Sequence, residues 1–125
     1  MKKTYLLQYK FSKSKGMYTK GWNICTLKVN LKKVSSCMGG GYDMKGTNLG
    51  NWIEKEFQEE LKTLDPQKYY GMSYDEDGTV ILNGSCGVIS MELILNGLGY
   101  KINRLPNKGS NKFLDVSNDF EVTPI

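Results

Sequence analysis

The chain predicts an α+β fold: a mixed, mostly antiparallel sheet with two helices, in the order ββ-α-ββ-α-ββ. Three observations predict it. Strand-like runs come in pairs. Two segments with three- and four-residue apolar spacing separate the pairs. Asp-Gly, Asp-Pro and glycine clusters punctuate the joins. Helix and strand differ in just this periodicity, and turn residues mark where one gives way to the next. At 125 residues the chain suits one domain with a real core, and a single domain over residues 1–125 is expected.

Residues 4–11 (TYLLQYKF) and 22–34 (WNICTLKVNLKKV) read as strands. In the second, Cys25, Leu27, Val29 and Leu31 alternate with Thr26, Lys28, Asn30 and Lys32. That alternation places an apolar face inward and a lysine-bearing face outward. Residues 12–21 (SKSKGMYTKG) join the two as a basic hairpin loop. The glycine-rich stretch Ser35–Gly50 follows, with five glycines, and leads into a helix over about 47–64. There Leu49, Trp52, Ile53, Phe57, Leu61 and Leu64 form one apolar stripe, with Glu54, Glu56, Glu59 and Glu60 toward water. Asp65-Pro66 ends it, since proline disfavours helical geometry in the preceding residue.

Runs 69–74 and 79–83 flank Asp77-Gly78, a hairpin signal. Asn83–Gly87 opens a second helix to about Asn96, with Ser85 as cap and Ile89, Leu93 and Ile94 facing the core. Gly97 or Gly99 ends it in the left-handed conformation that helix C-termini favour. A final strand pair, 99–105 and 112–116, is expected, with 117–125 as a loose polar tail.

Composition narrows the function classes. No segment approaches the ~20 apolar residues of a membrane span. Gln8 and Lys10 interrupt the apolar run near the start, so no secretory pattern is read there and a cytoplasmic setting is expected. Three widely spaced cysteines, Cys25, Cys37 and Cys86, suit free thiols better than a disulfide frame. With no histidine and no knuckle spacing, neither a metal site nor another cofactor is expected.

The net charge of +4 conceals an asymmetry. Residues 1–42 hold nine lysines and no acid, and the rest holds eight basic and all thirteen acidic residues, so the two parts carry +9 and −5. Such a field attracts and orients polyanions. Lys10, Lys28, Lys32 and Lys33, interleaved with Tyr9, Tyr18 and Trp22, form the candidate partner-binding surface, together with the nearby rings of Tyr5 and Phe11. Lysines neutralise phosphates and rings stack on bases. This half has no arginine, which argues against reading base edges. The competing reading is a hairpin whose lysines only keep a sheet face wet.

The second candidate site is a pair of glycine loops. Gly39, Gly40, Gly41, Asp43 and Thr47 surround one predicted helix start, and Ser85 and Gly87 the other. A helix start offers unpaired N–H donors to an anion, so a phosphate-bearing small nucleotide would fit. Neither loop has the spacing of a dinucleotide fingerprint or Walker loop. The competing reading is that glycine lets the helix pack closely. Cys37 and Cys86 sit near the same helix starts, but a thiol nucleophile needs a base and the spacing identifies none. No catalytic residues are assigned and an enzyme is not expected. Asp75, Glu76 and Asp77 read as a solvated hairpin tip.

Ser35-Ser36-Cys37-x-Gly39-Gly40-Gly41-Tyr42-Asp43-x-x-Gly46-Thr47-x-Leu49-Gly50, followed by Asp77-Gly78 and Gly84-x-Cys86-Gly87-x-x-x-Met91, resembles small phage and prophage proteins that carry this loop–helix motif. The resemblance covers about the middle half of the chain and implies a setting more than a chemistry. In that setting small accessory proteins act on host defence, so it implies an inhibitor of the anti-CRISPR kind whose partner is a host defence protein or nucleoprotein complex. Nucleic acid or a small nucleotide is the alternative ligand. A homo-oligomer is open on the sequence.

Overall fold

A computed structural model describes residues 3–13, 23–39, 43–105 and 119–125. The described residues form an α+β fold. Strands β1 (Tyr5–Lys13), β2 (Asn23–Val29), β3 (Lys32–Gly39), β6 (Tyr100–Arg104) and β7 (Asp119–Pro124) make a five-stranded sheet in the order β3-β2-β1-β7-β6. Every described pairing in it is antiparallel. Strands β4 (Met72–Tyr74) and β5 (Val80–Leu82) form a separate hairpin. The helices are α1 (Asp43–Glu56), the short α2 (Gln58–Leu61) and α3 (Val88–Gly97).

One sheet face makes the core. Tyr5, Leu7, Tyr9, Cys25, Leu27, Val29, Phe120, Val122 and Tyr100 are buried, and α1 and α3 bring Leu49, Trp52, Ile53, Met91, Ile94 and Leu95 against them. The expected stripe of the first long helix is therefore real. Leu49, Trp52, Ile53, Phe57 and Leu61 are all buried, and Leu64 packs at their margin. The helix is broken at Phe57 (φ −118°, ψ 29°), whose ring packs edge-on against Tyr5 and Trp52. Glu54, expected in water, instead accepts the Leu82 N–H at 2.8 Å. Gln58 exchanges two bonds with Val80, so helix side chains complete the ladder of β5.

Four expectations need correction. Residues 22–34 were expected as one strand, but they fold back at Asn30-Leu31, where φ is 51° and 72°. Two successive positive φ values make the tight turn whose twist matches antiparallel strands. Asn30 tolerates that conformation and its side chain accepts the Leu6 N–H at 2.9 Å. The alternation runs through the turn unbroken, which hid it.

The tail was expected to be loose, yet Asp119–Pro124 lies between β1 and β6, with Val122 fully buried. The partner expected at 112–116 falls outside the described residues. In α3 the inward residues are Met91, Ile94 and Leu95, whereas Ile89 and Leu93 are exposed. Apolar residues surround this helix, so periodicity alone chose the wrong face. Finally, Ser85 does not cap α3. It lies in a 3-10 turn (Gly84–Cys86) and its N–H and hydroxyl both bond Asn83 Oδ1. Gly87, at φ 114°, precedes the helix instead.

Candidate partner-binding face

Because the helices cover one sheet face, the other stands open among the described residues. Its composition follows from register. Residues directly opposite in antiparallel strands share a face. Lys28 pairs with Lys33 on β3 and with Gln8 on β1. Thr26 pairs with Ser36 and with Lys10. Lys10, Lys28 and Lys33 therefore gather on three adjacent strands, with Lys10 diagonal to Lys28, and by the same rule Asp119, opposite Gln8, and Glu121, opposite Leu6, share this face on β7. Thr26 and Ser36 hydroxyls bond one another across this face at 3.3 Å. The ion pair found among the described residues, Lys62–Glu59, lies elsewhere, so these three lysines have no carboxylate of that set within 4.0 Å.

A bulge shapes the cluster. Leu27 pairs with Ser35 but Lys28 pairs with Lys33, leaving Val34 as the extra residue on β3. The bulge turns Lys33 toward the open face and sets Lys32 opposite Val29. Lys32, expected beside Lys28, thus lies on the helix side of the sheet's end, where it is exposed.

The aromatic half of the expected surface does not form as read. Tyr9 is 5% exposed on the core face, and its hydroxyl donates to the Lys45 carbonyl at 3.0 Å. Burial pushes its phenol pKa far up. Tyr5 is buried too, its hydroxyl donating to Glu56, and its pKa is pushed up to about 12, mainly by burial. Phe11, on the same side of β1 but near its end, is exposed, with the Lys45 ammonium 5.6 Å from its ring centre. Period two sends these odd-numbered β1 residues inward and Lys10 outward, so one strand cannot show rings and lysines on one face. Tyr18 and Trp22 lie outside the described residues.

Beside the open face runs a groove of about 490 Å³ lined by Lys33, Val34, Ser35, Ser36, Asn51 and Lys55. It separates the outer edge of β3 from α1. Beneath it is a buried polar knot. Ser35 donates to Asn48 Oδ1 at 2.6 Å, Asn48 Nδ2 donates to the Cys25 carbonyl at 2.9 Å, and Asn51 donates to Ser35 at 3.2 Å. Asn48 is fully buried, and this network fixes α1 to β2 and β3. The groove residues Asn51 and Lys55 were missed in the sequence. Their signal was the four-residue spacing that puts them on one helix face, next to a strand that the turn at Asn30 makes an edge.

The glycine loops divide. Gly39 ends β3 and Asp43 begins α1, while Gly40 and Gly41 lie outside the described residues. Thr47 does not stand at the helix start but in the second turn of α1. A Cβ on Gly84 would meet the Gly46 carbonyl oxygen and stand 2.6 Å from Thr47 Cα. A Cβ on Gly46 would meet the Gly84 oxygen and come within 3.1 Å of the Val88 nitrogen. The start of α3, with Ser85 and Gly87 before it, is thus pressed against the backbone of α1. Gly46 and Gly84 serve close packing, whereas a Cβ on Gly87 would meet nothing within 4 Å, so its φ of 114° rather than space is what favours glycine there.

The cysteines are free. Cys25 and Cys37 are register partners on the core face. Burial pushes the Cys25 thiol up to about 11 and also raises Cys37, despite the Asn48 amide that favours both thiolates. Raised values keep these thiols protonated and poorly nucleophilic at neutral pH. Cys37 is part of a strand, not a helix start. At the β4–β5 tip, Asp75 and Asp77 each accept a nearby backbone N–H, and no cluster suited to a metal occurs among the described residues. No helix there is long and apolar enough to cross a membrane.

Set beside protein-family models, curated proteins and solved structures, the chain matches none of them.

Proposed function

We propose that this chain is a non-enzymatic binding protein whose open sheet face, centred on Lys10, Lys28 and Lys33, engages a polyanionic partner. The observation that carries the reading is the gathering of three lysines on adjacent strands with no carboxylate of the described set in ion-pair range. Clustered like charge costs free energy in the unbound protein, and an anionic partner removes that cost while being steered toward the face. With Tyr5 and Tyr9 turned inward, attraction to phosphates or carboxylates supports binding better than base stacking does. The resemblance to small phage proteins supplies the setting: a cytoplasmic inhibitor, anti-CRISPR-like, that occupies a charged surface of a host defence complex. The nucleotide alternative loses support because Gly46 and Gly84 are used in close packing and Thr47 lies in the second turn of α1 rather than at its start.

The test is to purify the protein at low salt and identify what travels with it, using wild type, Lys10→Glu/Lys28→Glu and a control, Lys62→Glu/Lys68→Glu. Both doubles change net charge equally. A partner retained by wild type and control but lost from the first double is the expected result. A partner retained by all three overturns the reading.

A further inference from the structure

Strand β3 is an edge of the five-stranded sheet, and among the described residues no strand pairs with its outer side. An edge strand presents alternate unpaired N–H and C=O groups, a template for one more strand. Most edges are blunted or covered. This edge carries Lys32, Lys33 and the bulge at Val34, but it is bordered by the groove against α1, so an added chain would find a floor on one side. The lining is Lys33, Val34, Ser35 and Ser36 from the strand, with Asn51 and Lys55 from the helix. It contains two lysines, two serines, an asparagine and no acid. Neither Lys33 nor Lys55 has an ion-pair partner among the described residues.

The geometry points to β3 and the α1 groove as a strand-addition site that takes an extended, acidic peptide segment of a protein partner. The segment would lie along Lys33–Ser36 and pair with the strand edge. Its alternate side chains would reach Lys55 and Asn51 on the helix side and Lys33 on the open side. Main-chain bonds supply affinity, and the lysines choose the charge.

Charge also decides against a second copy as occupant. Both edges that are open among the described residues are basic, with Lys32 and Lys33 on β3 and Lys101 and Arg104 on β6, so edge-to-edge pairing sets like charges together. The acidic tip Asp75–Asp77 is a turn, not an extended run. The inference deepens the proposed function, on which it rests for an anionic partner, by naming an acidic protein segment rather than a nucleic acid.

The probe is a fluorescein-labelled peptide, acetyl-Glu-Thr-Glu-Val-Glu-Thr-Glu-amide, in two further versions N-methylated at the odd or at the even residues. Strand addition uses one edge of the peptide. One methylated version should therefore bind as the parent does, and the other should lose at least about tenfold through its missing donors. Lys55→Glu should weaken the parent about fivefold, the scale of an exposed ion pair turned to repulsion. Amide exchange should slow at Lys33–Ser36 when the parent binds. Equal behaviour of the two methylated peptides overturns the inference, as does an oligothymidylate that slows the same amides. The failures are separable. If Lys10→Glu/Lys28→Glu abolishes polyanion binding while both methylated peptides behave alike, the basic face stands and the strand-addition site falls.

Discussion

Gly84→Ala is the sharpest perturbation of the fold. Its Cβ would fall on the Gly46 carbonyl oxygen and 2.6 Å from Thr47 Cα, where ordinary contact begins at 3.4 Å. Both obstacles are backbone within α1, so no side chain can swing aside and the helix itself must move by at least about 0.8 Å. The same helix is fixed from its other side by Asn48 and Asn51, which resist the shift. Overpacking costs about 1–3 kcal/mol, and a backbone clash belongs at the upper end, about 3 kcal/mol. Gly46→Ala meets the Gly84 oxygen but gains about 1 kcal/mol of helix propensity, so about 2 kcal/mol is expected. Gly50→Ala meets the Met91 sulfur at 3.1 Å and the Gly84 Cα at 3.2 Å, contacts relieved by a shift of a few tenths of an ångström, and the same propensity gain roughly cancels its cost. Urea denaturation followed by fluorescence gives all three. The expected order is Gly84→Ala worst, Gly46→Ala next and Gly50→Ala near wild type, with unchanged slopes. A Gly84→Ala midpoint equal to wild type, or a Gly50→Ala loss as large, would refute the close-packing account of these glycines.

Three further outcomes are expected. Asn48→Ala should cost about 2–3 kcal/mol, because it strands the Cys25 carbonyl and deprives Ser35 of its acceptor; a loss under about 0.5 kcal/mol on the same urea curves counts against the buried knot. Leu31→Gly should raise stability by about 1 kcal/mol, since Leu31 is exposed at φ 72° and glycine adopts that conformation freely; a lower melting temperature would contradict it. The Cys25 thiol, raised to about 11 from an ordinary value of 9.0, contributes stability that is fully present below pH 9 and lost as pH rises through 11. Stability should therefore fall more gently across that window in Cys25→Ala than in wild type, and identical slopes would exclude the linkage.

Much of the fold was legible because local signals agreed with tertiary context. The stripe Leu49–Leu61 meets a sheet on one side, and Asp77-Gly78 closes a hairpin as its chemistry demands. The misreadings have physical causes. Asn30-Leu31 turns the chain without the usual glycine, so the period-two pattern of Thr26–Lys32 concealed a reversal. Residues 119–124 look polar because Asp119, Glu121 and Thr123 alternate with Phe120 and Val122, which is what a half-buried strand between neighbours looks like. The lysines of the candidate face were legible individually. Their grouping depends on the bulge at Val34, which no local pattern announces. Tyr9 was placed with them because composition does not distinguish the two faces of a strand, whereas parity does. The β3 groove needs Asn51 and Lys55 from α1 beside Ser35, a contact between residues sixteen or more apart, and only the folded chain shows it.

The most direct test of the basic face is the salt dependence of polyanion binding. Fluorescein-labelled polyglutamate is titrated with wild type, Lys10→Glu/Lys28→Glu and Lys62→Glu/Lys68→Glu. Wild type and the second double should bind and should lose affinity about tenfold between about 50 and about 200 mM salt, as screened charge attraction does. Lys10→Glu/Lys28→Glu should bind at least about tenfold more weakly at low salt, with a flatter salt response. If both doubles bind alike, the attraction belongs to net charge rather than to the open sheet face, and the account is contradicted.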